Sequence, residues 1–346
     1  MKMKWGVIGS TGIAQRRTIP EGIVPAKNAE LSAVYSPTAE RNSAVAAQYG
    51  VKACKSEREL LESGCDIIYV ASPNDQHCRQ VIQAAQAGCH VFCEKPLGLS
   101  VAEAEEMVAA CEANDVQLGV GFMMRFHSYH QEALRIVQSG QLGLPVFGRA
   151  QLSCWYPPIP GAWRQDLKRS GGGALPDLAT HCIDLLEMLF GRTRRLSCFT
   201  GHLVQDYASE DTATVMLEFE SGAKGVVDTL FNVPDSSSKN RLEIYGSKGS
   251  LRAEGTIGQG DAGEMWFYSE SAASSYNTGQ ARKEDADQRC SPPPVNTYRA
   301  EVEAFSQAII DGNPPPIGAA AALWSQKVIA ACFESAETGR AVDFSR

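Results

Sequence analysis

No stretch of this 346-residue chain approaches the ~18 consecutive apolar residues needed to cross a bilayer, which argues against a helical membrane protein. Positive charge is not in excess either. Thirty-two Lys and Arg stand against 40 Asp and Glu, a net of −8, and such a surface repels phosphate backbones and anionic lipid. Neither nucleic acid nor a membrane is an expected partner. Among 11 cysteines there is no C-x-x-C; the tightest grouping is Cys89-His90-x-x-Cys93. An odd count at irregular spacing predicts reduced thiols packed as small hydrophobes, with no metal and no disulfide framework. No Tyr-x-x-x-Lys pair occurs, which disfavours a short-chain dehydrogenase. The start, Met1-Lys-Met-Lys-Trp-Gly-Val-Ile-Gly, has an apolar run of only about five residues, too short for a secretory leader. The expected compartment is the reducing cytoplasm. Internal repeats are absent as well.

What is present is a chain of two-domain length whose rhythm changes near residue 123. Up to there, short apolar runs alternate with helical patterns. Strands are expected at Trp5–Gly9, Leu31–Ser36, Val51–Cys54, Asp66–Ala71, His90–Cys93 and Gln117–Gly121. The helices between them include Ala39–Tyr49, Glu57–Ser63, Gln76–Ala87 and Val101–Asn114, the last opened by a Ser100/Glu103 capping box. This pattern predicts an α/β doubly wound parallel sheet of the Rossmann type over residues 1–123. Residues 124–346 read instead as an α+β domain with a large, mainly antiparallel sheet. Its strands are expected at Pro145–Cys154, Arg195–Val204, Thr212–Glu220, Gly225–Phe231, Arg241–Gly246 and Ser250–Ala253. Helices are expected near Tyr129–Ser139, at Asp177–Phe190, Tyr298–Asp311 and Ala319–Gly339, and the polar stretch 269–294 reads as an exposed loop. His127-x-x-His130 reads as helix surface.

The first strand runs into Gly9-Ser10-Thr11-Gly12-Ile13-Ala14. A dinucleotide fingerprint has glycines at the first and third of these positions and a small residue at the sixth. Gly9 and Ala14 match, while Thr11 stands at the middle position with Gly12 beside it. An NAD site places an acidic residue at the end of the second strand, on the ribose 2′-hydroxyl. Here that residue is Ser36. With no carboxylate to repel a 2′-phosphate, and with Ser36, Thr38 and Arg41 within reach of it, NADP(H) is favoured and NAD(H) remains an option.

Two further stretches carry chemistry. Cys93-Glu94-Lys95-Pro96 ends the fifth strand, on the side of the sheet where ligands bind, and a lysine there stabilises a substrate oxygen as charge develops. Asp177 and His181, four apart after Gly171-Gly-Gly173, share a helix face, with Leu178, Cys182, Leu185 and Leu189 forming the adjoining apolar stripe. Such a pair fits a general acid/base oriented by a carboxylate. Taken singly, each stretch also reads as an ordinary strand end or helix terminus.

Over nearly its whole length the chain resembles the glucose–fructose oxidoreductase / inositol dehydrogenase (Gfo/Idh/MocA) family. The likeness rests on Trp5-Gly-Val-Ile-Gly9, Ala71-Ser-Pro-Asn74 with His77, Ala87-Gly-Cys-His-Val-Phe-Cys-Glu-Lys-Pro96, and Gly121-Phe-Met-Met-Arg125-Phe126. Trp163-Arg164, Gly171 through Asp177-x-x-x-His181, Glu210-Asp211 and Ile244-Tyr-Gly-Ser-Lys-Gly249 continue it in order. The resemblance implies a Rossmann domain and an open-faced sheet that forms homodimers or homotetramers. It implies that Lys95 is the central catalytic residue, that His181 exchanges the proton, and that Asp177 positions substrate and His181. Ser72, Pro73, Asn74, His77, Glu94 and Arg125 would join Lys95 and the residues of the glycine loop at the cofactor. Arg125, Trp163 and Arg164 would join the catalytic three at a sugar- or polyol-like substrate, and the Lys95–Pro96 bond would be cis. Thr11 and Ser36-Pro-Thr-Ala-Glu-Arg41 are similar to the family's NADPH-dependent sugar reductases. The implied reaction is hydride exchange between nicotinamide and a carbonyl or alcohol carbon. The alternatives are an NAD-dependent glycosidase of the same family and a nonenzymatic nucleotide sensor.

Overall fold

The computed structural model describes residues 1–269 and 288–344. Short apolar runs form a first sheet of β1 (Met3–Ile8), β2 (Ala29–Tyr35), β3 (Lys52–Ala53), β4 (Ile67–Val70), β5 (His90–Cys93) and β6 (Leu118–Val120). Every pair is parallel and the spatial order is β3-β2-β1-β4-β5-β6, so the winding reverses between β1 and β4. Ligands bind in the crevice beyond the strand ends at such a reversal. Four helices connect the strands: α1 (Ala39–Tyr49), α2 (Glu57–Leu61), α3 (Asn74–Gln86) and α4 (Val101–Ala113). The Rossmann expectation is met, with element ends moved by a few residues. Half of the expected capping box forms. Ser100 Oγ accepts from the Glu103 amide at 3.2 Å, but the Glu103 carboxylate takes the Leu99 amide, at 2.7 Å, in place of that of Ser100. A widened helical segment, Ala14–Ile23, follows β1. Pro20 inside it has no N–H for an ordinary helical ladder, and the Val24 amide reaches the Ile19 carbonyl, five residues back, at 3.0 Å.

The second half begins with α5 (Ser128–Gln138), β7 (Pro145–Ser153), the short α6 (Leu167–Ser170) and α7 (Thr180–Phe190). The strands β8 (Thr193–Gly201), β9 (Thr212–Phe219), β10 (Lys224–Leu230), β11 (Arg241–Gly246), β12 (Gly249–Glu254), β13 (Glu264–Ser269) and β14 (Gln288–Cys290) follow. Helices α8 (Thr297–Ile310) and α9 (Ala319–Thr338) and the terminal β15 (Val342–Asp343) complete the described chain. The sheet order is β14-β13-β12-β11-β7-β10-β9-β8-β15, antiparallel except where β7 meets β10. One face packs on α7 and α9, and the predicted stripe Leu178, Cys182, Leu185 and Leu189 lies in that core. The other face is open, with Phe199 and Met216 exposed beside an Arg149–Asp228 ion pair.

Three sequence expectations change. Strands β13, β14 and β15 were not anticipated. The supposed loop at 269–294 gives Ser269 to β13 and Gln288–Cys290 to β14, while 270–287 lie outside the described residues. His127 and His130 are buried, not on a helix surface. Their ring nitrogens face Ala262 O, the Tyr129 amide, Met124 O and Thr256 Oγ1, so the pair ties α5 to the residues after β12. The chain also returns to its beginning. Trp5, fully buried, packs edge-on against Phe92 and Phe305 at 5.7 and 6.0 Å, and its Nε1 donates to Ser306 Oγ at 3.1 Å. Helix α8 therefore belongs to the core of the first sheet.

Candidate active site

Beyond Ile8 the chain turns through Gly9 and Gly12, at φ +82° and +73°. A Cβ on Gly9 would meet the Ala71 backbone at 2.6 Å, so this turn packs directly on the end of β4. The left-handed positions are 9 and 12; Thr11 keeps an ordinary backbone, which is why the fingerprint tolerates it. The turn borders a cavity of about 940 Å³ that follows the carboxyl ends of the first sheet as far as the base of α7.

At one end the cavity is lined by Tyr35, Ser36, Pro37, Thr38 and Arg16. Arg41 is exposed on α1 and does not line it. Ser10 is also absent from the wall: it is fully buried and donates its hydroxyl to Asn42 Oδ1 at 3.0 Å. Ser72, Pro73 and Asn74 line the middle, where Asn74 Nδ2 donates to Ser170 O at 2.8 Å. His77 stands behind them. Its ring nitrogens lie 3.1 and 2.9 Å from the carbonyl oxygens of Pro96 and Ser72, so it braces the ends of β4 and β5 without touching the cavity.

At the far end Lys95, whose bond to Pro96 is cis, extends its ammonium to Asp177. Nζ donates to Asp177 Oδ1 at 2.8 Å and to its carbonyl oxygen at 2.6 Å. Arg164 Nε lies 3.5 Å from Oδ2 and stacks its guanidinium 4.4 Å over Trp163. Burial alone would raise the Asp177 carboxyl, but the charges of Lys95 and Arg164 hold it well below the usual carboxylate range. His181 lines the same wall. Its ring meets Phe122 edge-on at 5.9 Å, and Nδ1 is buried without a partner. Burial, with the Lys95 charge behind it, keeps the imidazole neutral far below its ordinary range. Arg125, expected at the cofactor, is instead committed to the buried Asp184 through two bonds of 2.7 and 2.5 Å and does not reach the cavity.

A dinucleotide fits this set of groups. The cavity joins a left-handed glycine turn at a helix start to a paired lysine and a neutral histidine. Its wall also carries three buried polar atoms unpartnered within the protein: Ser153 Oγ, His181 Nδ1 and Glu301 Oε1. Sequence reading missed Arg16, which sits one turn past the glycine loop where its signal was local. It also missed Ser153, Tyr298 and Glu301, for which no local signal exists because they arrive from distant elements. Among the described residues no group of three or more His, Cys, Asp or Glu is placed to hold a metal ion.

Residues 3–122 match the oxidoreductase family with an NAD-binding Rossmann fold, and residues 130–252 match the GFO/IDH/MocA C-terminal domain. The chain is 30% identical over 346 residues to a D-xylose 1-dehydrogenase (NADP(+)) of Haloferax volcanii, covering 99% of each chain. It is 27% identical over 344 residues to a 1,5-anhydro-D-fructose reductase of Ensifer adhaerens, covering 98% of each. The crystal structure of an aldose-aldose oxidoreductase from Caulobacter crescentus, complexed with glycerol, superposes with a TM-score of 0.88 at 25% identity, over 99% of this chain and 100% of that one. With its two sheets in this order and a cavity ending at Lys95, Asp177 and His181, the chain belongs to the GFO/IDH/MocA family of NAD(P)-dependent oxidoreductases.

Proposed function

We propose that this protein exchanges hydride between a nicotinamide cofactor, with NADP(H) preferred, and a carbonyl or alcohol carbon of a sugar or polyol. The observation that carries the reading is the Lys95–Asp177 pair beside His181, in the same cavity as the glycine turn. Gly9, Thr11, Gly12 and Ile13 hold the diphosphate region, and Ser36 and Thr38, with Arg16 and a reoriented Arg41, take the 2′-phosphate. When bound, the nicotinamide accepts or delivers the hydride. In oxidation the neutral His181 takes the hydroxyl proton as the carbinol C–H bond breaks, and the Lys95 ammonium stabilises the developing alkoxide. Reduction runs the same steps backwards, the proton returning to oxygen from His181. Asp177 keeps Lys95 aimed through their ion pair, and Trp163 and Arg164 meet substrate hydroxyls. Residues 1–123 serve the cofactor, and 124–346 serve the substrate and assembly into a homodimer or homotetramer through the open sheet. The two relatives above are a dehydrogenase and a reductase, which supports net redox turnover over the glycosidase and sensor alternatives.

The test is nicotinamide absorbance over time, with NADPH or NADH and a panel of aldoses, ketoses, anhydro-sugars and inososes. Wild type should oxidise NADPH with at least one of them, and Lys95→Met should lose roughly a hundredfold to ten-thousandfold in kcat. Turnover that survives Lys95→Met would overturn the assignment of Lys95. Preference for NADH would overturn the role given to Ser36.

A further inference from the structure

We propose that Glu301, on α8, is a cofactor-binding residue whose carboxyl group takes the carboxamide of the nicotinamide ring; this rests on the cofactor reading above. Glu301 is only 4% exposed, and it lines the cavity together with Glu94 and Tyr298. Its Oε1 is buried and unpartnered within the protein. A buried polar atom of this kind in a cavity wall is accounted for by a bound group.

Glu94 and Glu301 are coupled carboxyl groups of this lining, and their surroundings separate them. Glu94 Oε1 accepts the Tyr69 hydroxyl, which itself lies 3.0 Å from Thr18 Oγ1. Burial raises Glu94, but the Tyr69 bond and the Lys95 charge pull it back. Burial raises Glu301 well above the usual carboxylate range and the Glu94 charge adds to it; with Tyr69 donating to Glu94 and no partner on Glu301 Oε1, the surroundings favour the charge on Glu94 and the neutral form of Glu301. This pair therefore presents one acceptor, Glu94, and one neutral carboxyl with an O–H to give. Ribose hydroxyls are donors and suit the ionised Glu94. The carboxamide oxygen is the acceptor that suits the Glu301 O–H. The geometry reaches this place only because α8 packs on Trp5 and Phe92, which brings a residue some two hundred positions past Lys95 into the same crevice.

The experiment is isothermal titration of wild type, Glu301→Leu and Glu301→Gln with two ligands. One is the preferred reduced cofactor; the other is the same molecule without its nicotinamide (2′-phospho-ADP-ribose for NADPH, ADP-ribose for NADH). The Leu variant should bind the full cofactor about tenfold more weakly and the truncated ligand within about twofold of wild type. The Gln variant, whose amide keeps a donor, should recover most of the loss. Because both ligands are read on one preparation, damage to the fold would weaken both. Equal losses for the two ligands, or no loss for either, would overturn the inference while leaving the cofactor reading in place. A wild-type protein that binds neither ligand overturns the cofactor reading itself, and the inference with it.

Discussion

Asp177 receives Lys95 on one carboxylate oxygen and Arg164 near the other, one turn away from the buried His181. Two cations bind one carboxylate, so Asp177 stays ionised, while His181, deprived of water and facing the Lys95 charge, stays neutral. A neutral imidazole is the base that alcohol oxidation needs. Its protonated form becomes populated only well below the ordinary histidine value of 6.5. The sign follows: lowering the pKa of a required base extends activity toward acid. The kcat/KM for oxidation should therefore stay level as pH falls through 6.5, with its acid limb displaced well below that value; a limb at 6.5 or above would contradict the environment described for His181.

The elements deliver these side chains through close backbone approaches. Gly173 is the tightest: a Cβ there would collide with the carbonyl oxygen of Glu210. That same carbonyl accepts the Ala174 amide at 3.0 Å, and the Glu210 carboxylate accepts the Leu175 amide at 2.9 Å, so the start of the Asp177 helix is seated on the residues entering β9. Asp211 secures the other side of this joint by accepting the amides of Leu203, Val204 and Gln205, which, against the cost of burial, bring its pKa down to about 2. Neither partner at Gly173 is a side-chain tip that can swing away. Gly173→Ala should cost about 3 kcal/mol of stability, read as a lowered Tm, with activity lost in step because Asp177 moves with the joint. An unchanged Tm would show that the joint yields.

At the scale of the whole molecule, the two sheets differ in how they are covered. The first is enclosed by helices on both faces, including α8 from the far end of the chain. The second keeps one face open, and on it Phe199, 69% exposed, and Met216, 55% exposed, stand beside the Arg149–Asp228 pair. Apolar side chains of this size on an uncovered sheet fit the association surface proposed above. Phe199→Glu with Met216→Glu should convert the proposed dimer or tetramer to monomer in light scattering, with the Lys95–Asp177–His181 geometry untouched on the far side of the sheet. An unaltered mass would place the interface elsewhere.

How much of this was legible in the chain divides along physical lines. Alternation of apolar runs and helical stretches decided the parallel sheet, because a doubly wound sheet writes its topology into local periodicity. The Lys95, Asp177 and His181 candidates were also local, each lying at a strand end or helix start. Other features were not local at all. Strand β14 lies in a polar stretch whose pairing with β13 is a tertiary contact, and the burial of His127 and His130 depends on the residues after β12. Arg125 looked like a ligand-binding residue until Asp184, 59 positions away, was seen to hold it. Glu301 reaches the cavity only through the packing of α8 on Trp5. The sequence by itself determined the order of elements and the kinds of chemical groups at their ends; only the tertiary structure decided which of those groups face the cavity, because burial and pairing between distant residues are not written in any local pattern.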